Sequence, residues 1–139
     1  MIDPVKLQLW LDPLNDAPLE CDGMSRVISA LLSINGIEHQ AWQGLLLDCK
    51  LLEDHSVGPE VEIAVTHWWI KLADGSTIDY RARMWLGDDA PHGVFQADPA
   101  GRFRYVNAEP TGLGCVPLPI LSLIAGIDLL HYPGFEDAV

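Results

Sequence analysis

Three side chains, Cys21, His67 and Asp79, offer a thiol, an imidazole and a carboxylate in the order that a nucleophile, its base and an orienting group would need. A thiol attacks only as the thiolate, and a helix N-terminus stabilises that anion through its dipole and free backbone amides. Cys21 stands three residues before Met24, which begins the series Met24, Val27, Ile28, Leu31 and Leu32. That series follows one helix face, and Asn35-Gly36 supplies its C-terminal stop. The spacing therefore predicts a helix with Cys21 on its first turn and Asp22 as N-cap. The same amides could receive the oxyanion formed when an acyl carbon is attacked.

His67 and Asp79 depend on strands to bring them together. The β-branched and aromatic stretches Ile37 to Asp48 and Val61 to Leu72 predict two strands, and Asp74-Gly75 marks a turn into a third, Thr77 to Trp85. A two-residue loop, Asp74-Gly75, would set Asp79 across from Ile70 and send His67 to the opposite face. A three-residue loop, Ala73-Asp74-Gly75, with Gly75 at positive φ, sets Asp79 across from Trp69 and on the same face as His67. Only the second register lets the carboxylate orient the imidazole.

The phrases carrying these residues are Cys21, Ile28-Ser-Ala-Leu-Leu-Ser-Ile-Asn-Gly-Ile37, Trp42-Gln-Gly44, His67-Trp-Trp, Asp74-Gly and Ile78-Asp79. Together they resemble the core of the transglutaminase-like enzymes, relatives of papain. The resemblance implies that Cys21 is the nucleophile, His67 the acid/base and Asp79 the orienting carboxylate. It also implies thioester chemistry on a peptide or a small acyl or amide substrate: hydrolysis, deamidation or transfer to an amine. It covers less than half of the chain. No Trp-Gly phrase precedes Cys21, and Met84 to Phe95 matches no part of that family's pattern. The Cys-Asp-Gly-Met opening is also similar to the Asp-Cys-Ser-Gly phrase of NlpC/P60 peptidases, but Asp79 stands where their second histidine would be.

Taken singly, each residue has a structural reading: Cys21 as a core thiol, His67 as a core or edge histidine among Val61, Ile63 and Val65, and Asp79 as the ion-pair partner of Arg81 or Arg83. Trp68, Trp69 and His92, within Pro91-His92-Gly93, are the candidate substrate contacts. Cys49 and Cys115 read as structural, and neither a disulfide framework nor a CxxC zinc motif is present. His39, His55 and His131 are too scattered for metal-ligand spacing, so neither a metal nor another cofactor is expected.

The remaining chain supplies the frame. Asp3-Pro4 caps a short helix, Val5 to Leu11, that Pro13 ends. A strand or hairpin across Val94 to Val106 turns at Asp98-Pro-Ala-Gly101, and Leu118 to Leu130 reads as a short buried helix weakened at Gly126. The expectation is an α+β fold, an N-terminal helix packed on an antiparallel sheet with a papain-like or transglutaminase-like core, in one domain spanning residues 1–139.

Composition limits the partners. The 20 acidic and 8 basic side chains give a net charge of −12, which repels phosphate backbones and anionic lipid headgroups, so neither nucleic acid nor membrane is an expected partner. Arg81, Arg83, Arg102 and Arg104 read as ion-pair partners. The apolar stretch Val116 to Leu130 contains Pro117, Pro119 and Asp128 and is too short to span a bilayer, and the N-terminus lacks a basic secretory leader. A cytoplasmic protein is expected. The alternative function is a non-catalytic interaction module on the same scaffold, or a homodimer, using an apolar patch around Trp85 and Phe95.

Overall fold

The computed structural model describes residues 2–137. It is an α+β arrangement around a five-stranded antiparallel sheet of order β4-β3-β2-β1-β5. The strands are β1 (His39–Leu51), β2 (Val57–Leu72), β3 (Thr77–Asp79), β4 (Gly93–Phe95) and β5 (Phe103–Pro110). Four helices accompany them: α1 (Pro4–Leu11), α2 (Cys21–Ile34), α3 (Ala82–Leu86) and α4 (Leu118–Ala125). No described helix is long and apolar enough to cross a membrane.

α1 begins where the Asp3 side chain accepts a 2.9 Å bond from the Val5 amide and Pro4 fills a position that needs no amide. Pro13 ends the α-helix, yet the chain continues in a 3-10 turn, Asp12–Asp16. In α2 the predicted face, Met24, Val27, Ile28, Leu31 and Leu32, is buried. The helix closes through Asn35 and Gly36, whose φ of +68° lies in the region that glycine occupies without strain. The N-cap is Glu20, not Asp22, which lies inside the first turn, and no side chain caps this end.

α1 and α2 cover one face of the sheet, burying Leu7, Leu11, Val27 and Leu32 against Ala41, Ile70 and Ile78. The opposite face carries a smaller cluster of Leu46, Ala82, Leu86 and Ala90. Because side chains alternate along β2, Trp68 and Ile70 belong to the helix-covered face, while Val65, His67 and Trp69 belong to the other. Gly44, paired with His67, is needed for close approach: a Cβ there would lie 2.7 Å from the Val106 carbonyl oxygen of β5.

The hairpin takes the three-residue loop. Ile70 pairs with Ile78 and Lys71 with Thr77, Gly75 has a φ of +89°, and the Leu72 amide donates to the Ser76 carbonyl at 2.9 Å. β3 is far shorter than Thr77 to Trp85, however. Asp79 Oδ1 accepts from the amides of Arg81 (2.9 Å) and Ala82 (3.0 Å), so the chain turns into α3. The ladder would otherwise set Arg81 opposite His67, and its end opens the sheet there.

Two other expectations change. Asp98 to Gly101 does form a turn, with the Gly101 amide donating to the Asp98 carbonyl at 3.1 Å, but the strands beside it do not pair with each other. β4 pairs with β3 and β5 with β1, at opposite edges of the sheet. The last helix stops at Ala125, with Gly126 at φ +68°, before a 3-10 turn at Leu129–His131. It is also not buried as a whole: Leu121 and Ala125 pack inward, while Ile120, Leu123 and Ile124 are exposed.

Candidate functional site

His67 is the centre of the site because it is completely buried and still charged. Its Nε2 lies 2.7 Å from Asp79 Oδ2. Burial pulls the imidazole pKa down, but the hydrogen bond and charge of Asp79, together with the neighbouring Cys21, outweigh it and push the value up to about 9. At neutral pH the ring is therefore an imidazolium. Its other nitrogen, Nδ1, has no hydrogen-bond partner among the described residues. With Nε2 fixed on the carboxylate, Nδ1 is the atom left for a thiol.

Asp79 divides its oxygens between two tasks. Oδ1 holds the two amides that start α3, while Oδ2 binds His67 and also accepts a 2.7 Å bond from the Tyr105 hydroxyl. Tyr105 comes from β5, on the other edge of the sheet, and burial followed by the Asp79 charge raises its phenol pKa far above normal, so it is a donor. Trp69 stacks beside His67, with centroids 6.3 Å apart, and meets the Tyr105 ring edge-on at 4.9 Å. These rings make the wall that keeps water from His67.

Cys21 reaches this assembly from the other layer. It is the first residue of α2, half-buried, and lines a narrow crevice with Met24, Trp68, Asp79, Tyr80 and Arg81. The amides of Cys21, Asp22 and Gly23 have no hydrogen-bond acceptor among the described residues, so the helix end that carries the sulfur keeps three open donors. Arg81 fixes the approach. Its buried guanidinium donates to the carbonyls of Asn15 (3.0 Å), Ala17 (2.8 Å) and Leu19, and to Asn15 Oδ1 (3.1 Å). It thereby pins the segment that leads into α2.

Arg81 is thus neither an ion-pair partner of Asp79 nor a free cation, since it meets that carboxylate through its backbone amide. Arg83 and Arg104 likewise donate to carbonyls, of Ala90 (2.8 Å) and Gly101 (2.8 Å). Of the four arginines named from sequence, Arg102 forms ion pairs, with Asp48 at 2.8 Å and Asp89 at 3.2 Å. Tyr105 and the bonding of Arg81 are the features that sequence reasoning missed; an arginine two residues after a candidate site carboxylate was the available signal for one, and nothing local marked the other.

The remaining candidates separate. Trp68 lines the Cys21 crevice with Arg26 over its ring, whereas Trp69 is buried on the His67 face and does not line the crevice. His92 is half-buried, edge-on to Tyr80 at 4.9 Å, with Nδ1 unpartnered and its pKa lowered by burial and by Arg83. It lines an open hollow beside the crevice, sharing Tyr80 and Arg81 with it. Cys49 is buried, but Cys115 is exposed and so is not a core thiol. His39 is held by Ser29 and the Ile37 carbonyl, and the described residues contain no group of three or more His, Cys, Asp or Glu that could hold a metal. Trp85 is exposed, while Phe95 is half-buried with its ring 6.2 Å from that of Tyr105.

No family model matches this chain, and no curated protein and no solved structure matches it either.

Proposed function

We propose that this protein is a cysteine-dependent enzyme of the transglutaminase-like, papain-related kind, acting on an amide or acyl group through a thioester on Cys21. The observation that carries the reading is the buried imidazolium of His67, tied to Asp79 through Nε2 and unpartnered at Nδ1, next to a half-exposed cysteine at an uncapped helix N-terminus. Three elements, α2, β2 and β3, have to cooperate to build that, and a core histidine needs none of it.

The chemistry follows from the atoms. His67 is the cation with which a Cys21 thiolate pairs. Sulfur attacks the acyl carbon, and the oxyanion lies toward the amides of the first turn of α2. The carbon–nitrogen bond breaks as the proton on His67 Nδ1 passes to the leaving amine, which leaves a thioester. Water or a second amine then attacks the thioester carbon and gives its proton to His67. The carboxylic acid or new amide departs, and the Cys21 sulfur is freed. Asp79 and Tyr105 touch no reacting atom; they orient the ring and stabilise its charge.

The test is p-nitrophenyl acetate turnover, followed by p-nitrophenol release and intact mass. A single hydroxylamine-labile acetyl group on Cys21, with release abolished in Cys21→Ala, is expected. Unchanged release in that variant overturns the reading. A non-catalytic interaction module on the same scaffold, which the exposed apolar residues of α4 favour, would then take its place.

A further inference from the structure

A cavity of about 320 Å³ lies between α2, the segment 113–116 and α4, with aliphatic walls of Ala30, Ile34, Val116, Leu118 and Leu121. Its volume is at the low end of small-ligand sites, which run from about 300 to 1,000 Å³. Arg26, Ala30 and Ile34 all line it and follow one another at four-residue spacing, so it extends over two turns of α2, roughly 12 Å. A charge stands at one end of that length and apolar walls at the other. Trp68 and Cys21, which line the crevice of the candidate nucleophile, do not line this cavity.

Arg26 is half-buried and fixed in place. Its Nη1 donates to the Leu113 carbonyl, and its Cζ lies 5.6 Å from the centre of the Trp68 ring. Nε and Nη2 have no partner among the described residues, and neither is a buried atom, so two donors of a rigid fork stay within reach of a ligand. Arg26 also forms no ion pair among the described residues, and no acidic side chain lines the cavity, although the chain carries 20. The Ser29 hydroxyl is taken by His39 at 2.7 Å, which leaves the guanidinium as the anchor. A forked cation calls for a carboxylate, and walls without an aromatic ring call for an aliphatic body. We propose that this cavity binds a small aliphatic carboxylate, held by Arg26 Nε and Nη2, with its chain laid along Ala30 and Ile34 against α4.

Sodium octanoate is the probe, titrated into the full chain by calorimetry while the Arg26 Nε–H resonance is followed by ¹H–¹⁵N spectroscopy. Arg26→Met, which keeps an aliphatic stem, assigns that resonance. Octanoate is expected to shift it saturably with a Kd of about 1 mM or tighter. Hexanoate, two methylenes shorter, should bind about tenfold more weakly. Octanol and octylammonium, which lack the carboxylate, should each bind at least about tenfold more weakly, as should octanoate to Arg26→Met. Ala30→Leu fills the cavity from a half-buried helix position without removing the guanidinium, and should abolish binding even if Arg26→Met folds poorly. Cys21→Ala should bind octanoate normally, which makes failure here distinguishable from failure of the thioester chemistry. The assignment is overturned if folded wild-type protein shows no saturable shift, if octanol or octylammonium binds as tightly as octanoate, or if Ala30→Leu binds it unchanged. A dimer in sedimentation that Ile34→Lys dissociates would also overturn it, because Ile34 is exposed and its cavity would then belong to a second copy.

Discussion

The hydroxyl of Tyr105, on one edge strand, and the imidazole of His67, near the middle of the sheet, share a single carboxylate oxygen: Asp79 Oδ2 lies 2.7 Å from each. The carboxylate is therefore held from three directions, by a phenol, an imidazolium and the amides that open α3. Tyr105→Phe removes one of these bonds and keeps the ring packing. It should cost about 1 kcal/mol in urea unfolding and leave the protein folded. Asp79→Ala strips all of them and should cost about 3 kcal/mol or more, because it leaves a buried cation and two amides without an acceptor.

The raised pKa of His67 gives stability a pH dependence of definite sign. The folded value, about 9, lies above the ordinary 6.5. The stabilisation is thus fully present below about pH 6.5 and is lost as pH rises through about 9. Melting temperature should fall across that window at constant ionic strength. His67→Gln should remove this part of the slope; a wild-type curve that is flat or rises there contradicts the assigned charge.

Cys21 and Cys115 form a natural comparison, since Cys115 is the more exposed thiol but lies outside its helix, two residues before Pro117, the N-cap of α4, and is not among the groups that act on the His67 imidazolium. Limited iodoacetamide labelling at neutral pH, mapped by mass spectrometry, should modify Cys21 first, Cys115 more slowly and buried Cys49 last. Labelling ordered by exposure alone would count against activation.

Arg81 is expected to act at a distance from the sulfur. Arg81→Met leaves the carbonyls of Asn15 and Leu19 without their donor, takes one of two donors from the Ala17 carbonyl, and should cost about 2 kcal/mol or more by urea unfolding. Arg81→Lys should not restore it, because one ammonium cannot reproduce a planar fork spread over three carbonyls. In both variants the labelling advantage of Cys21 over Cys115 should shrink, as the segment that aims α2 loosens.

The residues of α2 announce their own helix: an apolar face at helical spacing and a glycine beyond its end suffice, because hydrogen bonds and side-chain contacts there run between near neighbours. The hairpin is equally local. Ala73-Asp74-Gly75 allows the three-residue loop because glycine takes positive φ freely, and that loop puts His67 and Asp79 on one face. Sequence therefore determined the α+β layout and the Cys21 helix start and allowed the shared face of the other two residues, but the pairing of Ile70 with Ile78 is what chose that register over the two-residue loop. Sequence did not determine where β3 ends. Thr77 to Trp85 has strand-forming side chains, but Asp79 Oδ1 captures two amides and the chain departs as α3, opening the sheet where Cys21 can come beside His67. Nor could local chemistry reveal that β4 and β5 go to opposite edges, or that Tyr105 returns to Asp79 from 26 residues away. Those choices belong to tertiary structure, because edge pairing and buried hydrogen bonds depend on which surfaces remain open once the core has packed, and no window of neighbouring residues contains that information.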